Sequence, residues 1–461
     1  DIKAGLGMLR KRSRDLVLND PYARKYLKML RKYVVGPDGL VHRNKAVDVY
    51  YGANGDVRTV PDKYANRMIQ DAFWKWSKKE YCTIRRDQSL RQALMTLVSS
   101  RAVDGEVFIL IVYDKTTPFG FTLQFIEGSF CDDQLNTRTR EGNVVVMGIE
   151  YDPFFAPVAY YFKKFDAQKP MEMQHYSREY IRIPADRVIH YYQKEFTGQL
   201  RGYPDFTTVA NRLHHLKGYE DAALVAARSG ASKTNILEPL TNEDVELTEA
   251  DVAGETGYGE DGEEVIIQNI APGETYVVPN GYKYVLHDPA FPQGEHAPFT
   301  QNMLYGVSSG FDVDYPTLSS NLSNVNYTST RHGLLDARLG YRIMQRDLIE
   351  TVLEPIHTKW LESAILSGYL KLPMAKLEKF DAPVFYAYRG DWVDPLKDTN
   401  AKVAAHDNLI ESLENILGER GIDLEEHLDQ LAAEKAELEK RGLEKKAVKQ
   451  VEKEIESDKE N

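Results

Sequence analysis

The chain has 461 residues, more than one core usually supports, so two or three domains are expected. At 42% hydrophobic and 11% aromatic it can build packed cores, and its 28 tyrosines suit wet, hydrogen-bonding interfaces. A formal net charge of −12 argues against a protein that grips nucleic acid over its whole surface, though not against one that lets it pass.

No run approaches the ~18 apolar residues of a membrane helix, and the first residues show no charged-then-apolar signal pattern. A soluble, non-secreted protein is expected. Cys82 and Cys131 make neither a disulfide framework nor a metal spacing, so they read as buried or idle thiols.

The first segment, "LRKRSRDLVLNDPYARKYLKMLRKYVVG", reads as two helices. Leu9, Leu16 and Leu18 belong to the first; Asn19, Asp20 and Pro21 supply the cap and first-turn proline of the second. Tyr26, Leu27, Leu30 and Tyr33 then recur at helical spacing, and the basic residues read as a solvated face. Residues 68–76 and 89–103 also look helical. From Gly105 to Lys164 the period falls to two: "EVFILIVY", "FTLQFIEG", "NVVVMGIEYD" and "PVAYYFKK" read as strands joined by Gly, Asp and Pro turns. The longest apolar run, residues 107–113, is expected to be buried. "IPADRVIHYYQ" adds a strand, and Asp205 or a neighbour is expected to cap a long helix after "GYPDF".

Between Glu243 and Glu264 lie ten acidic residues and no basic one. Short strands with Pro-Gly and Asn-Gly turns follow, and a helix resumes near Ala297. Then comes "GFDVDYPTLSSNLSNVNYTSTR", residues 310–331, a polar stretch between two helices. The next helix, residues 330–366, carries Leu334, Ala337, Tyr341, Met344, Leu348 and Val352 on one face, and Pro355 is expected to kink or break it. One more strand lies in residues 382–390. From Ala401 the chain is helical and charged, with a stripe of Leu424, Leu428, Leu431 and Leu438.

Catalytic patterns are weak. "GYGEDG", residues 257–262, matches G-x-G-x-x-G, but an acidic run precedes it, a strand follows, and Glu260 and Asp261 would repel a phosphate. "GASKT", residues 230–234, has Ser232 where a phosphate loop needs glycine. His214 and His215 point ~100° apart on a helix and cannot share a metal. Asp104 and Glu106 offer two carboxylates at a strand start, which a glycosidase could use; a turn and strand cap explains them equally well. An acidic, Tyr-rich glycoside hydrolase therefore stands as the alternative function. The acidic run lacks calcium-loop spacing. No catalytic residue, cofactor or metal site is expected.

Several stretches together resemble the lambda-like portal family of tailed bacteriophages. They are residues 183–231 with His190, Gln199-Leu200-Arg201-Gly202 and Glu220-Asp221-Ala222; residues 310–331 with "GLLDARLGYR"; "RSRDLVLND"; and "ERGIDLEEHLDQLAAEKAELEKRGL". The resemblance implies an α+β portal fold with a β-rich wing, paired stem helices, a small β-containing clip and a helical crown. It places the wing in residues 1–204 and 330–400, stem helices in 205–230 and 297–312, the clip in 231–296, a tunnel loop in 313–329 and the crown in 401–461.

It further implies a homo-oligomeric ring, normally a dodecamer, at one capsid vertex, passing double-stranded DNA. Implied partners are the large terminase subunit, a head-tail adaptor, and the major capsid and scaffolding proteins. The implied location is the virion, and the host cytoplasm during assembly. The implied channel residues are Tyr315, Leu318, Ser319, Ser320, Asn321, Leu322, Ser323, Asn324 and Asn326. Those from Leu318 to Asn324 bring no positive charge, so duplex could slide past without sticky phosphate contacts. A hydrogen-bonding connector between subunits explains the same residues. The implied motor or connector face holds Glu243, Asp244, Glu246, Glu249, Asp251, Glu260 and Asp261.

Overall fold

The computed structural model describes residues 2–51, 56–164, 179–231, 235–239, 255–258, 264–267, 282–286, 296–323, 327–389, 395–418, 422 and 424–442. The chain divides into two compact units, Asp1–Thr208 with Phe311–Asn461, and Val209–Gly310.

In the first unit α1 (Ile2–Asn19) meets α2 (Pro21–Leu30) at Asp20, whose carboxylate accepts the Ala23 N–H at 2.8 Å. Tyr26, Leu27 and Leu30 are buried, as their spacing requires. α1 contains Leu9, Leu16 and Leu18 as expected, but they are not its buried side. Its buried side is Leu6, Arg10 and Ser13, while Leu18 is 77% exposed. The basic residues of α1 are thus not all solvated.

Strands β1 (Val41–Asn44), β2 (Val47–Tyr51) and β3 (Val57–Pro61) precede α3 (Lys63–Trp76), the short α4 (Lys79–Cys82) and α5 (Leu90–Asp104). A reciprocal bond between Ser89 and Gln92 starts α5, and Gly105 in the left-handed region (φ 88°) ends it. Strands β4 (Glu106–Val112) and β5 (Thr122–Glu127) follow, then β6 (Thr137–Arg138), β7 (Val144–Val146), β8 (Ile149–Tyr151), β9 (Pro157–Lys163), β10 (Tyr180–Pro184) and β11 (Val188–Tyr192).

Two expected strands are each split. Met147 (φ 51°) and Gly148 (φ 81°) turn "NVVVMGIEYD" into the hairpin β7–β8. A short turn at Ala185–Arg187, just after Pro184, carries the chain from β10 in one sheet to β11 in another. The first sheet orders β10-β9-β8-β7-β6, the second β11-β4-β5, both antiparallel. Phe108, Leu110 and Val188 of one pack on Ile149, Tyr151, Tyr160 and Phe162 of the other, with Cys131 in the same cluster. Both cysteines are buried and free, as expected, and burial raises both thiol pKa values, that of Cys131 to about 11.

The second unit is built on α6 (Ala210–Ala231) and α7 (His296–Phe311). They run antiparallel. Tyr219 lies 4.3 Å from the Phe299 ring, and Gly306 leaves room for the Arg212 guanidinium, which a Cβ would meet at 2.4 Å. Between them β12 (Asn235–Pro239) pairs with β15 (Tyr282–Leu286), and β13 (Glu255–Tyr258) with β14 (Glu264–Ile267). Residue 257 therefore sits in a hairpin strand and opens no helix, as the rejection of the dinucleotide pattern requires. His214 and His215 are exposed side by side on α6.

Back in the first unit come α8 (Tyr315–Ser319), α9 (Tyr327–Leu348) and α10 (Glu354–Leu366). Pro355 does not break the helix. The turn Ile349–Leu353 is π-wound, with Glu354 N–H donating to Ile349 O, so the wider turn absorbs the proline. Strand β16 (Pro383–Tyr386) pairs with β1. The late helices include Leu424–Lys440, on which Leu428 and Leu431 lie 49% and 43% exposed. A second core joins β1, α3 and α10: Phe73, Trp76 and Trp360 pack together, and His42 sits 4.3 Å from Phe73 and 4.8 Å from His357.

Burial lowers the pKa of both His42 and His357, and neither ring nitrogen of His42 has a hydrogen-bond partner. With folded values below the ordinary ~6.5, the unfolded chain takes up protons first, so this stability is complete above ~6.5 and lost as pH falls. His42→Phe is expected to flatten the pH dependence below ~6.5 by up to about 1.4 kcal/mol per pH unit. Urea unfolding of both proteins at neutral and mildly acidic pH checks this; an unchanged slope would exclude His42 as a proton acceptor on unfolding.

Candidate functional site

The tight junction Asp104-Gly105-Glu106 sends the Glu106 side chain into the interior, where it is fully buried. An isolated carboxylate there would be costly, and partners converge on it. Arg201 Nε donates to both Glu106 oxygens at 2.8 Å, and its Nη2 bonds Oε1 as well. Arg10 Nη2 lies 2.6 Å from Oε1, His190 Nε2 lies 2.9 Å from Oε2, and Gly202 N–H donates to Oε2 at 3.2 Å. Arg201 also donates to the carbonyls of Met147, Gly128 and Cys131. Burial alone would raise the Glu106 pKa; Arg201 and His190 outweigh it and hold the carboxylate well below its usual range. Burial likewise lowers His190.

The glycosidase reading of Asp104 and Glu106 is thereby overturned. Asp104 is bound by Arg14 at 2.8 and 2.9 Å, and Glu106 is sealed from solvent with its oxygens fully engaged. Neither carboxylate lines a cleft that could hold a sugar and a water.

The motif around His190 and Gln199 to Gly202 supplies the side chains that build this cluster. Gln199 clamps its own turn, accepting from Glu195 N–H at 2.8 Å and donating to the Gln193 and Arg201 carbonyls at 3.1 Å. Gly202 is obligatory, because a Cβ there would lie 2.0 Å from Gly105 O.

Three residues on, Asp205, expected itself or through a neighbour to cap the long helix, opens the short turn Asp205–Thr208 instead. It accepts from Arg101 at 2.8 and 3.1 Å and from Tyr26 Oη at 2.8 Å, and α6 starts only at Ala210. A buried guanidinium needs that carboxylate more than a helix end does. Tyr26 stacks on Phe311 with centroids 4.0 Å apart, and Phe206 meets Phe311 edge-on at 5.2 Å.

Phe311 is where the polar stretch begins, and the segment is locally built. Asp314 caps α8, accepting Thr317 N–H at 3.2 Å and Thr317 Oγ1 at 2.9 Å. Ser319 Oγ bonds Tyr315 O, Asn321 N–H donates to Ser319 Oγ, and Asn321 Oδ1 accepts from both Ser323 N–H and Ser323 Oγ. Asp312 (φ 54°) and Ser320 (φ 58°) are left-handed turn residues on either side of α8. The segment also lies close to α9, where a Cβ on Gly333 would sit 2.7 Å from Asp314 and one on Gly340 3.2 Å from Asp312. These glycines are seven residues apart and share a face.

Ser320, Asn321, Leu322 and Ser323 are exposed, and Tyr315 and Ser319 are half-buried. Leu318 is a correction. It is 2% exposed and anchors α8 to the core, since a short helix holds its place only by burying an apolar side chain. Asn324 and Asn326 lie outside the described residues, as do all the acidic candidates, Glu243, Asp244, Glu246, Glu249, Asp251, Glu260 and Asp261. Among the described residues no His, Cys, Asp and Glu group could hold a metal, and no helix is long and apolar enough to cross a membrane.

Sequence reasoning missed Arg10, Arg14 and Lys25. Arg10 and Arg14 recur on the stripe of Leu6, a spacing that could have marked them as inward-facing. Lys25 Nζ donates to Ser320 Oγ at 3.1 Å, a pairing across 295 residues that no local pattern reveals.

The profile of the phage portal protein family, lambda family, matches residues 1–345. The chain belongs to that family. It is 31% identical over 440 residues to a probable portal protein of Halomonas phage phiHAP-1, covering 94% of this chain and 81% of that one. Portal protein B of Escherichia phage lambda is 22% identical over 457 residues, covering 94% and 84%. Among solved structures, the neck of an empty gene transfer agent particle matches at 11% identity, 91% and 93% coverage and a TM-score of 0.47. The virion of a native gene transfer agent particle matches at 12% identity, the same coverages and a TM-score of 0.43. The mixed helix-and-sheet architecture agrees with the expected α+β portal fold, and the role is that of a phage portal.

In this portal chain Arg201→Met should lower the unfolding free energy by about 3–5 kcal/mol, because it strands the Glu106 charge. Arg201→Lys should recover only part, since a lysine cannot span both carboxylate oxygens and the carbonyls. Denaturant midpoints read both; a drop under about 1 kcal/mol would mean that Arg10 and His190 satisfy Glu106 unaided.

Proposed function

We propose that the chain is one subunit of a closed ring, normally of twelve copies, at a single vertex of a phage capsid. Double-stranded DNA enters and leaves through its channel, and the chain itself is non-enzymatic. Residues 1–204 and 330–400 serve as wing, 205–230 and 297–312 as paired stem helices, 231–296 as clip, 313–329 as tunnel loop and 401–461 as crown. The clip docks the large terminase subunit and later a head-tail adaptor; the crown and wing meet capsid and scaffolding proteins. The ring resides in the virion and assembles in the host cytoplasm.

One observation carries the channel reading. The loop exposes an uncharged apex, residues 320–323, polar but for Leu322, on a base fixed by Asp314 and Leu318. An uncharged apex on a firm base can lie beside moving duplex and adds no phosphate contact of its own. The antiparallel pair α6 and α7 supports the stem assignment, and the helices bound the β-strands assigned to the clip.

Native mass spectrometry of the purified assembly, with low-resolution imaging, tests the ring. A particle of about a dozen subunits with a central hole is expected; a monomer that stays monomeric even with the other head proteins would overturn it. Asn321→Lys is expected to slow DNA transit about tenfold per engaged lysine, taking about 1.4 kcal/mol for a charged hydrogen bond to phosphate, while ring mass stays unchanged. If ring formation collapses instead, the loop is a connector between subunits and not a channel element.

A further inference from the structure

The chain is acidic overall, yet residues 10–32 hold nine Lys and Arg against two Asp. Part of this charge is spent inward. Arg10 and Arg14 bind Glu106 and Asp104, and Arg31 Nε donates to Ser99 at 2.6 Å. The remainder is outward. Arg24 and Lys28 are exposed one turn apart on α2, opposite its buried face of Ala23, Tyr26, Leu27 and Leu30. Lys25 lies beside them and reaches the loop at Ser320. Among the described residues, no carboxylate lies within 4.0 Å of the charged nitrogens of Arg24, Lys25 or Lys28, although acids outnumber bases in the chain by 70 to 58.

Three cations with no described carboxylate in reach thus share α2, and Lys25 among them bonds the loop whose own apex is uncharged. α2 also packs against α8, and Tyr26 on its inner face stacks on Phe311, so the cations and the loop share one support. We propose that Arg24, Lys25 and Lys28, with the loop apex at residues 320–323, form a contact surface for the phosphate backbone of duplex DNA. The inference rests on the channel reading above and extends it: the polar loop sets the distance of approach, and α2 supplies the charge. Cations on short, fixed supports match phosphate oxygens without reading base sequence, which suits a protein that must pass any sequence. An acidic face of a second copy would also attract this patch. Charge complementarity favours DNA: three fixed cations match phosphate oxygens, and the exposed residues 320–323 beside them bring no charge of their own.

The test is fluorescence anisotropy of a short blunt DNA duplex binding the purified full-chain assembly over a series of salt concentrations. The wild type is compared with Arg24→Gln/Lys25→Gln/Lys28→Gln and with Lys25→Arg, and native mass spectrometry follows each assembly. The triple variant is expected to keep its ring and to show a log–log salt slope shallower by about 0.9 for each phosphate it no longer neutralises, near 3 where one subunit engages fully. Lys25→Arg should keep the wild-type slope. An intact ring with an unchanged slope would overturn the inference and leave the portal reading standing. Failure of the triple variant alone to form the ring would also overturn it, since the patch would then be a subunit interface. If the wild type itself forms no ring, the failure belongs to the ring assignment.

Discussion

A carboxylate with no solvent around it dictates the arrangement of its neighbours, and Glu106 is that group here. Its oxygens are met by side chains from α1, β11 and the turn after it, and by the Gly202 N–H. None of these pieces is close to Glu106 in sequence; Arg10 and Arg201 stand 96 and 95 residues away. Such a cluster contributes less to net stability than its many hydrogen bonds suggest, because desolvation consumes much of the gain. Its effect is selective. Any packing that displaces α1 or slips the register of β11 leaves a buried charge unpaired, so alternatives are penalised more than the native arrangement is favoured.

That arrangement is passed along the chain to the loop. Gly105 and Gly202 bring two backbone segments closer than any side chain would permit, which fixes the direction in which residues 203–205 leave. Asp205 then engages Arg101 and Tyr26, and Tyr26 stacks on Phe311. The chain leaves for residues 209–310 beside Phe206 and returns at Phe311, and those two rings touch. The two ion pairs are not equivalent. At Glu106 the guanidinium and imidazole outweigh burial; at Asp205 burial outweighs one guanidinium and one phenol, and the carboxyl is shifted upward.

Periodicity disclosed most elements because local hydrophobic spacing decides helix and strand. α2, α5, β4 and β5 stand where their patterns put them. The failures share a physical cause. The split of β7 from β8 rests on two consecutive positive φ values, and only Gly148 advertises one. The helical run expected over residues 330–366 is present; the break at Pro355 fails because a π turn, which no pattern announces, precedes the proline. Leu318 looked like one more residue of a polar loop, yet it is the apolar anchor that α8 needs, visible only once α8 is known to exist. The motif around residues 190–202 was legible as a resemblance, but its reason was not, because the reason is Glu106, read from its own neighbourhood as a turn or a catalytic acid.

The loop shows how the two kinds of information combine. From its sequence it is neutral and rich in small polar residues, which suggests mobility. Its hydrogen bonds give another picture: Asp314, Ser319 and Asn321 each satisfy backbone donors or acceptors nearby, and Gly333 and Gly340 let the segment lie against α9. The small polar side chains close a compact turn, so the residues that leave the apex uncharged also satisfy its backbone. Charge can then be placed separately. Lys25 on α2 reaches Ser320 Oγ, so a positive charge from far away in sequence stands at the apex. A protein with a net charge of −12 can in this way present a local positive face while leaving its overall balance acidic.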